Sequence, residues 1–584
     1  MPADGHSITD PFLYTTGPRD ARIILVGEAW GRDELRERRP FVGMSGKELD
    51  RILFDAGLNR ADILCANLVD SHPQSNDFTG FLEPNARGKD RNLRGVRAGQ
   101  LLVQGHQKLL ALIDWVKPSL VIGCGNWPLW ALTGHAKVST TKGYATPSGI
   151  MNWRGSQTFT DEINGQRYPY LPIIHPAAIL RDWGLRSVTC QDLRSRARRF
   201  IQGTTAWSPP REHFDFTGDF KAARDYLVAT ICRAGEAARR GERLWLAVDV
   251  ETWRRRYLAV VGISDGEFAI AIPFFFFDEA GNMVDNFTLE QELEIQLLLR
   301  QLLQHVAVNI TNQNYAYDWQ YLHRYLGIWA EPSFDTMLAH HLLWPGTPKS
   351  LDYLASLYCD HYCYWKDESQ DWDAKSNHRD MWRYNCKDTI KTYEITFALQ
   401  SLLKSTKMED LYELQLEQWK LANEMQTRGI KWDYSAALRM REELVRTADS
   451  LSQWLMRAMP EDLQYAPSGK PWFASNSHLQ YIFYDRLGVP PILHKKTKRP
   501  TLDKESFEQL KKKTPWIGPI LDKLKLLRSV QVFRDNFLSK NLGPDGRMHP
   551  SFNVGGTETF RWSSSENPFG EGMNLQNIPR LDDE

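Results

Sequence analysis

At 584 residues, with 42% hydrophobic and 25% charged side chains, the chain has the composition of globular material and room for three or four domains, each with its own core. Its formal net charge is zero, which excludes a global basic field as the means of holding nucleic acid and leaves that role to local clusters. The seven cysteines form no C-x-x-C pair, the start MPADGHSITD lacks a signal-peptide pattern, and the apolar run at 269–277 is too short to span a bilayer, so a cytoplasmic protein with no membrane insertion is expected.

Residues 21–200 alternate strand-like and helix-like text, from RIILVGE and SGKELDRILFDAGL through DILCANLV, SLVIGCG and YLPIIHP to the helical DLRSRARRFIQG. That alternation predicts an α/β domain with a largely parallel sheet. The stretch from VGEAWG to CANLV, together with IIHPAAILR at 173–181, resembles the uracil-DNA glycosylase superfamily. The resemblance implies an α/β/α sandwich with a pocket for an extruded base. In that pocket Phe41 would stack on the base, Asn67 would read its edge, His175 would stabilise charge developing on the base oxygen, and Glu28 would position water. Ala177 to Arg181 would form the minor-groove wedge. Trp30 stands where the family usually has proline, and Ser71 stands where the thermophilic branch has an iron–sulfur cysteine, so no iron–sulfur cluster is expected. An active glycosylase, a base-sensing or docking module, and a pocket filled by Trp30 all stay open, as does His175 as a plain core histidine.

A polar, proline-containing stretch at 203–219 reads as a linker. Beyond it, a three-strand meander leads into βα units. The apolar run Leu244 to Val250 reads as a buried strand, and alternation puts Asp249 and Glu251 on one face of it. Asp318 in NQNYAYDWQYL and Asp388 in YNCKDTIKTYEI each sit in a helical pattern, and Tyr384 lies one turn before Asp388. Four converging acids suit hard cations, and two Mg²⁺ or Mn²⁺ can activate water and stabilise a leaving oxygen in phosphodiester hydrolysis. These motifs, D-x-E, N-x3-D from Asn314 and Y-x3-D, resemble the proofreading 3′-to-5′ exonuclease domain of family A DNA polymerases, as does the text from Asp335 to Tyr358. The resemblance implies a ribonuclease-H-like fold in which Asp249, Glu251, Asp318 and Asp388 hold the metals, Tyr384 orients the water and Asn314 contacts DNA.

From about 406 the text turns helical, and 414–433 resembles the segment that opens the polymerase region of family A enzymes. Basic residues outnumber acidic ones between 491 and 540, which reads as a phosphate-binding face or a merely solvated one. KKTKR followed by PTLDKESFEQLKKK resembles the family's thumb, and residues 546–579 resemble the entry to its palm. On that resemblance Lys496, Lys498, Arg528, Arg561, Gln576 and Asn577 are expected to contact DNA, while Phe560, Trp562 and ENPFGEGM depart from the commonest pattern. The later palm aspartates and fingers helix are not in the sequence, so polymerisation is expected to draw on a longer chain or a second chain. The expected organisation is 1–203 glycosylase-like, 204–405 exonuclease, and 406–584 thumb and beginning of the palm, together the N-terminal part of a replicative DNA polymerase. Such a fusion suits a bacterial virus. The rival readings are a uracil-excising repair enzyme that trims 3′ ends and a non-catalytic DNA-binding platform.

Overall fold

The apolar runs of the first 200 residues become strands because continuous Val, Ile and Leu suit a sheet covered on both faces. The structure, a computed structural model, describes residues 10–84, 92–141, 143–209, 211–369, 377–494 and 499–578. The first sheet contains β1 (Ile23–Ala29), β2 (Ile63–Val69), β3 (Leu120–Cys124), β4 (Thr158–Phe159) and β5 (Pro169–Ile173), in the order β2-β1-β3-β5-β4. Its pairs are parallel except that of the edge strand β4 with β5. Helix α1 (Met44–Asp55) buries Leu49, Ile52 and Leu53 in a core with Ile23, Leu25, Ile63 and Ile122. Ile24 and Val26 alternate to the opposite face and are also fully buried. Helix α2 (Gln100–Val116) buries Leu102, Leu109, Leu112 and Ile113. Past β3, the short helix α3 (Ile150–Trp153) leads into the segment before β4.

The second sheet contains β6 (Phe214–Asp215), β7 (Leu244–Trp253), β8 (Tyr257–Ser264), β9 (Ala269–Pro273), β10 (Val308–Asn312) and β11 (Phe334–Asp335), in the order β11-β10-β7-β8-β9-β6. β7, β8 and β9 form the expected antiparallel meander, and β10 and β11 add in parallel beside β7. Helices α4 (Tyr315–Leu326), α5 (Leu351–Tyr358) and α6 (His378–Thr406) follow. Gly262 of β8 pairs with Asp249 of β7, and a Cβ there would lie 2.1 Å from Asn385 Oδ1. The missing side chain is what lets α6 bring Asn385 down onto the sheet.

Both sheets lie in one compact unit, Met1–Glu413. Tyr353 and Leu357 of α5 pack against the core of the first sheet, and so does the buried Trp207 of the expected linker, whose indole N–H donates to the Thr158 carbonyl at 2.9 Å. Between the sheets lies a buried ion pair, Arg154–Asp192 at 2.6 Å, and Arg154 also donates to Ser356 Oγ at 3.1 Å. Arg196 donates to the Cys359 and Asp360 carbonyls. A buried ion pair persists only when its remaining donors and acceptors are matched, and Ser356 supplies one such match.

The second unit, Leu414–Glu584, is mostly helical. Its core joins Leu451, Leu455, Trp472 and Phe483 to Leu510 of α7 (Lys504–Lys513) and Leu521 and Leu524 of α8 (Gly518–Phe533). A hairpin of β12 (Pro550–Asn553) and β13 (Ser563–Glu566) follows. Among the described residues no helix is long and apolar enough to cross a membrane. The seven cysteines are all free.

Candidate active site

β7 alternates, so Asp249 and Glu251 emerge on one face, and α6 crosses that face with Asp388. Each of the three carboxylates offers an oxygen, and these oxygens lie within 4.8 Å of one another. Oxygen donors at this spacing fit Mg²⁺ or Mn²⁺. Asn385 donates Nδ2 to Asp249 Oδ2 at 2.8 Å and so sets the direction of that carboxylate. Trp365 donates its indole N–H to Asp388 Oδ1, and Lys366 donates Nζ to Asp388 Oδ2, both at 2.6 Å. Lys366 also donates to the Tyr384 hydroxyl at 2.6 Å.

Asp318 is not one of the three. It is buried in α4, accepts the Val250 N–H at 2.9 Å and is the first charged neighbour acting on Asp249, so the fourth expected acid stands beside the three. The helix that carries it is set by Asp335, which accepts the N–H groups of Tyr315 at the start of α4 and of Met337 and Leu338 in the next helix. Asn314 precedes α4 in a left-handed conformation, with φ of 65°.

This site resists its own negative charge. Burial first, then Asp318, Asp388 and Glu251, hold the Asp249 carboxyl well above the ordinary aspartate range, while Lys366 pulls the other way. Burial and then Asp388 push Glu251 up to about 8. Burial pushes Asp318 up to about 8 against the hydrogen bond from Val250. A divalent cation held here would offset that opposition, since it favours the ionised carboxylates.

The second candidate site is a cavity of about 700 Å³ at the carboxyl ends of β1, β2 and β5, walled by Glu28, Trp30, Phe41, Asn67, Trp127 and His175. Phe41 is buried in a left-handed conformation at φ 57°, a strained setting for a bulky residue, and its ring stacks with that of His175 at 6.5 Å. Ala177 donates its N–H to His175 Nδ1 at 3.1 Å. Burial, opposed by Glu28, lowers the His175 pKa from its ordinary value, so the neutral ring carries its proton on Nε2. Gly125 has φ of 95°, and a Cβ on it would lie 2.4 Å from Glu28 Oε1, so glycine is required where the loop passes that carboxylate. Trp30 packs edge-on against Tyr14 at 5.1 Å and forms a wall, leaving the cavity open. Ala177 and Arg181 of the expected wedge line the same cavity.

Residues 14–197 match the family profile described as the uracil DNA glycosylase superfamily, and residues 227–404 match that of the 3′-5′ exonuclease. A type-4 uracil-DNA glycosylase of Archaeoglobus fulgidus is 38% identical over 177 residues, which cover 30% of this chain and 76% of that protein. Through this region the chain belongs to the uracil-DNA glycosylase superfamily. The DNA polymerase of Bacillus phage SP01 is 22% identical over 97% of this chain and 63% of its own length. DNA polymerase I of Borreliella burgdorferi is 25% identical over 47% of this chain and 29% of its own length. The chain therefore carries a glycosylase-like region followed by a 3′-5′ exonuclease domain and has family A DNA polymerases among its homologues, though it spans less than two thirds of the polymerases it matches.

The polymerase-like residues fare unevenly. Lys496 and Lys498 lie outside the described residues. Arg528 is turned inward: it stacks over Phe507 at 5.0 Å and donates to Asn476 and to the Leu502 carbonyl. Lys511 and Lys525 pair with Asp522 and Glu508 across α7 and α8, so part of the basic run is neutralised within the fold. Arg561, Gln576 and Asn577 are exposed. The Gln576 amide donates to the Trp562 carbonyl. Sequence reasoning missed Asn385, Trp365, Lys366 and Asp335. Asn385 sits inside the YNCKD motif, and a helix that presents Tyr384 and Asp388 to a sheet presents residue 385 beside them.

Proposed function

We propose that this chain is the N-terminal part of a family A replicative DNA polymerase, and that its centre on β7 and α6 removes nucleotides from the 3′ end of the primer. The observation that carries the reading is the approach of Asp249, Glu251 and Asp388 to within 4.8 Å, one helical turn from Tyr384. In this reading Asp249, Glu251, Asp318 and Asp388 are the residues that would hold the metals. Two bound Mg²⁺ or Mn²⁺ would supply an activated water and a counter-charge for the leaving 3′ oxygen. The chain's own residues do the rest. Asn385 keeps Asp249 aimed, and the Tyr384 hydroxyl orients the attacking water. The strand order with its central meander supports a ribonuclease-H-like fold for this region. The helical second unit and its hairpin support a thumb and the entry to a palm, with exposed Arg561, Gln576 and Asn577 against primer-template DNA and nucleotide addition supplied by palm and fingers elsewhere in a longer chain or in a second one. The test is end-labelled single-stranded DNA incubated with the purified chain. Shortening from the 3′ end with Mg²⁺ or Mn²⁺ and none in chelator is expected, and intact strands under both conditions would sink the reading.

A second reading, that the glycosylase-like region holds a flipped base, rests on the open cavity with its Phe41 ring, the Asn67 edge and the His175 Nε2 donor. Uracil-containing strands should bind the chain better than thymine-containing ones. Release of free uracil, lost in His175→Ala, would make the region catalytic as well as sensing.

A further inference from the structure

The segment Tyr362–Lys366 belongs to the exonuclease region by sequence, yet the glycosylase-like region grips it. Gln157 donates its backbone N–H to the Tyr362 carbonyl at 2.7 Å, and Tyr362 returns its own N–H to Gln157 Oε1 at 2.9 Å. Tyr364 donates its N–H to Ser156 Oγ at 3.1 Å, and the Asn152 amide donates to the Tyr364 hydroxyl at 3.2 Å. The Tyr362 hydroxyl donates to the Asn152 carbonyl at 3.2 Å, and Trp153 meets Tyr364 edge-on at 5.3 Å. Lys137 pairs with Asp367 at 2.9 Å. Tyr362, Tyr364 and Trp365 are all buried. Directly beyond this grip come Trp365 and Lys366, which between them occupy both oxygens of Asp388 and the hydroxyl of Tyr384. Because the phenol oxygen accepts from Lys366, its single O–H is left free to donate onward.

We propose that Trp365 and Lys366 are positioning residues of the exonuclease centre, and that the glycosylase-like region holds them there through residues 152–157. The proposal rests on the exonuclease reading of that centre. Trp365 fixes the plane of the Asp388 carboxylate. Lys366 fixes its second oxygen, sets Tyr384 as a donor, and places one permanent positive charge beside three carboxylates. Two consequences separate this role from a merely structural one. Loss of the charge draws a divalent cation in more tightly, while loss of the geometry slows the chemistry.

The experiment uses the full chain as Lys366→Gln, Lys366→Arg, Trp365→Phe and the double variant Ser156→Ala with Gln157→Ala, each checked by thermal unfolding. Mn²⁺ alone is titrated calorimetrically, and 3′ trimming of single strands is resolved into kcat and KM. Lys366→Gln should bind Mn²⁺ on the order of tenfold more tightly, since a like charge is removed from the cation's surroundings. Its kcat should fall on the order of tenfold with KM for DNA unchanged, because the orientation of Asp388 and Tyr384 is lost. Lys366→Arg should keep the wild-type Mn²⁺ affinity, and Trp365→Phe should lower kcat alone. The double variant, which touches no acid of the centre, should move both quantities in the direction of Lys366→Gln. A folded double variant with wild-type Mn²⁺ affinity and kcat, or a Lys366→Gln protein unchanged in both, would overturn the proposal. If the wild-type chain trims no DNA, the exonuclease reading fails by itself, and the Mn²⁺ titrations of Lys366→Gln and the double variant still decide the positioning role.

Discussion

The exonuclease centre gathers three carboxylates within 4.8 Å in buried surroundings that oppose their charge, while the glycosylase-like cavity sets the rings of Trp30, Phe41 and Trp127, the Asn67 amide and His175 around the Glu28 carboxylate at the end of β1. The first is held together by groups that fix acids in place against their repulsion: Asn385 on Asp249, Lys366 and Trp365 on Asp388. The second is held by shape, with Phe41 forced into a strained backbone so that its ring faces His175. On the readings proposed above, one site would take a cation and the other a base, and perturbations should separate along that line.

The sharpest break is Asp249→Ala. It removes a metal ligand from the centre and should cut 3′ trimming roughly a hundredfold to a thousandfold, as single-turnover assays would read. The same protein should keep its full preference for uracil-containing strands, and loss of that preference would show that the two sites are not distinct. Phe41→Ala does the converse. Removing the stacking ring should cost about 1–3 kcal/mol of that preference in fluorescence titrations and leave trimming intact. Asn385→Ala sharpens the acidic side of the comparison: a partner that aims a metal ligand is removed, and Mn²⁺ affinity measured by calorimetry should fall about tenfold.

The smallest effect is on pH. Glu251 moves from an ordinary value of 4.5 to about 8, and Asp318 from 3.8 to about 8, so the fold opposes their ionisation. The native state then binds more protons than the unfolded chain in that window, and the metal-free protein loses stability as pH rises from the ordinary carboxylate values towards about 8. Mn²⁺ requires the ionised groups, so the rise in Tm that it produces should grow with pH up to about 8 and level off above it. Burial lowers the His175 pKa below 6.5, so the ring is neutral over the upper part of this window, and uracil preference should stay flat there. A Mn²⁺ effect independent of pH, followed by differential scanning fluorimetry, would count against the buried-acid account.

What was legible in the sequence is what depends on one element. Alternation along β7 places Asp249 with Glu251, and one helical turn places Tyr384 with Asp388. The resemblance to glycosylases led to Phe41, Asn67 and His175, and the chain brings all three to one cavity. Relations between elements were harder. Asp318 lies on a helix whose seat is fixed by Asp335 from a different strand, so the way it approaches the other three acids was not readable from spacing. Lys366, in the polar text WKDES, carries no sequence signal of its place, which shows only in its contacts with Asp388 and Tyr384. Arg528 belongs to a charge run that reads as a phosphate-binding or a merely solvated face, and such a run does not say which members pack on a ring, as Arg528 does on Phe507, or pair across helices, as Lys511 does with Asp522.

The single turn of α3 is shared property. Ile150 and Met151 line the base cavity, and the next residues, Asn152 and Trp153, grip the segment that carries Trp365 and Lys366. Thermodynamic reciprocity then governs any coupling this turn carries: a change that an occupant of the cavity made in the affinity of the centre for a cation would be matched by an equal change that the cation made in the affinity of the cavity for that occupant.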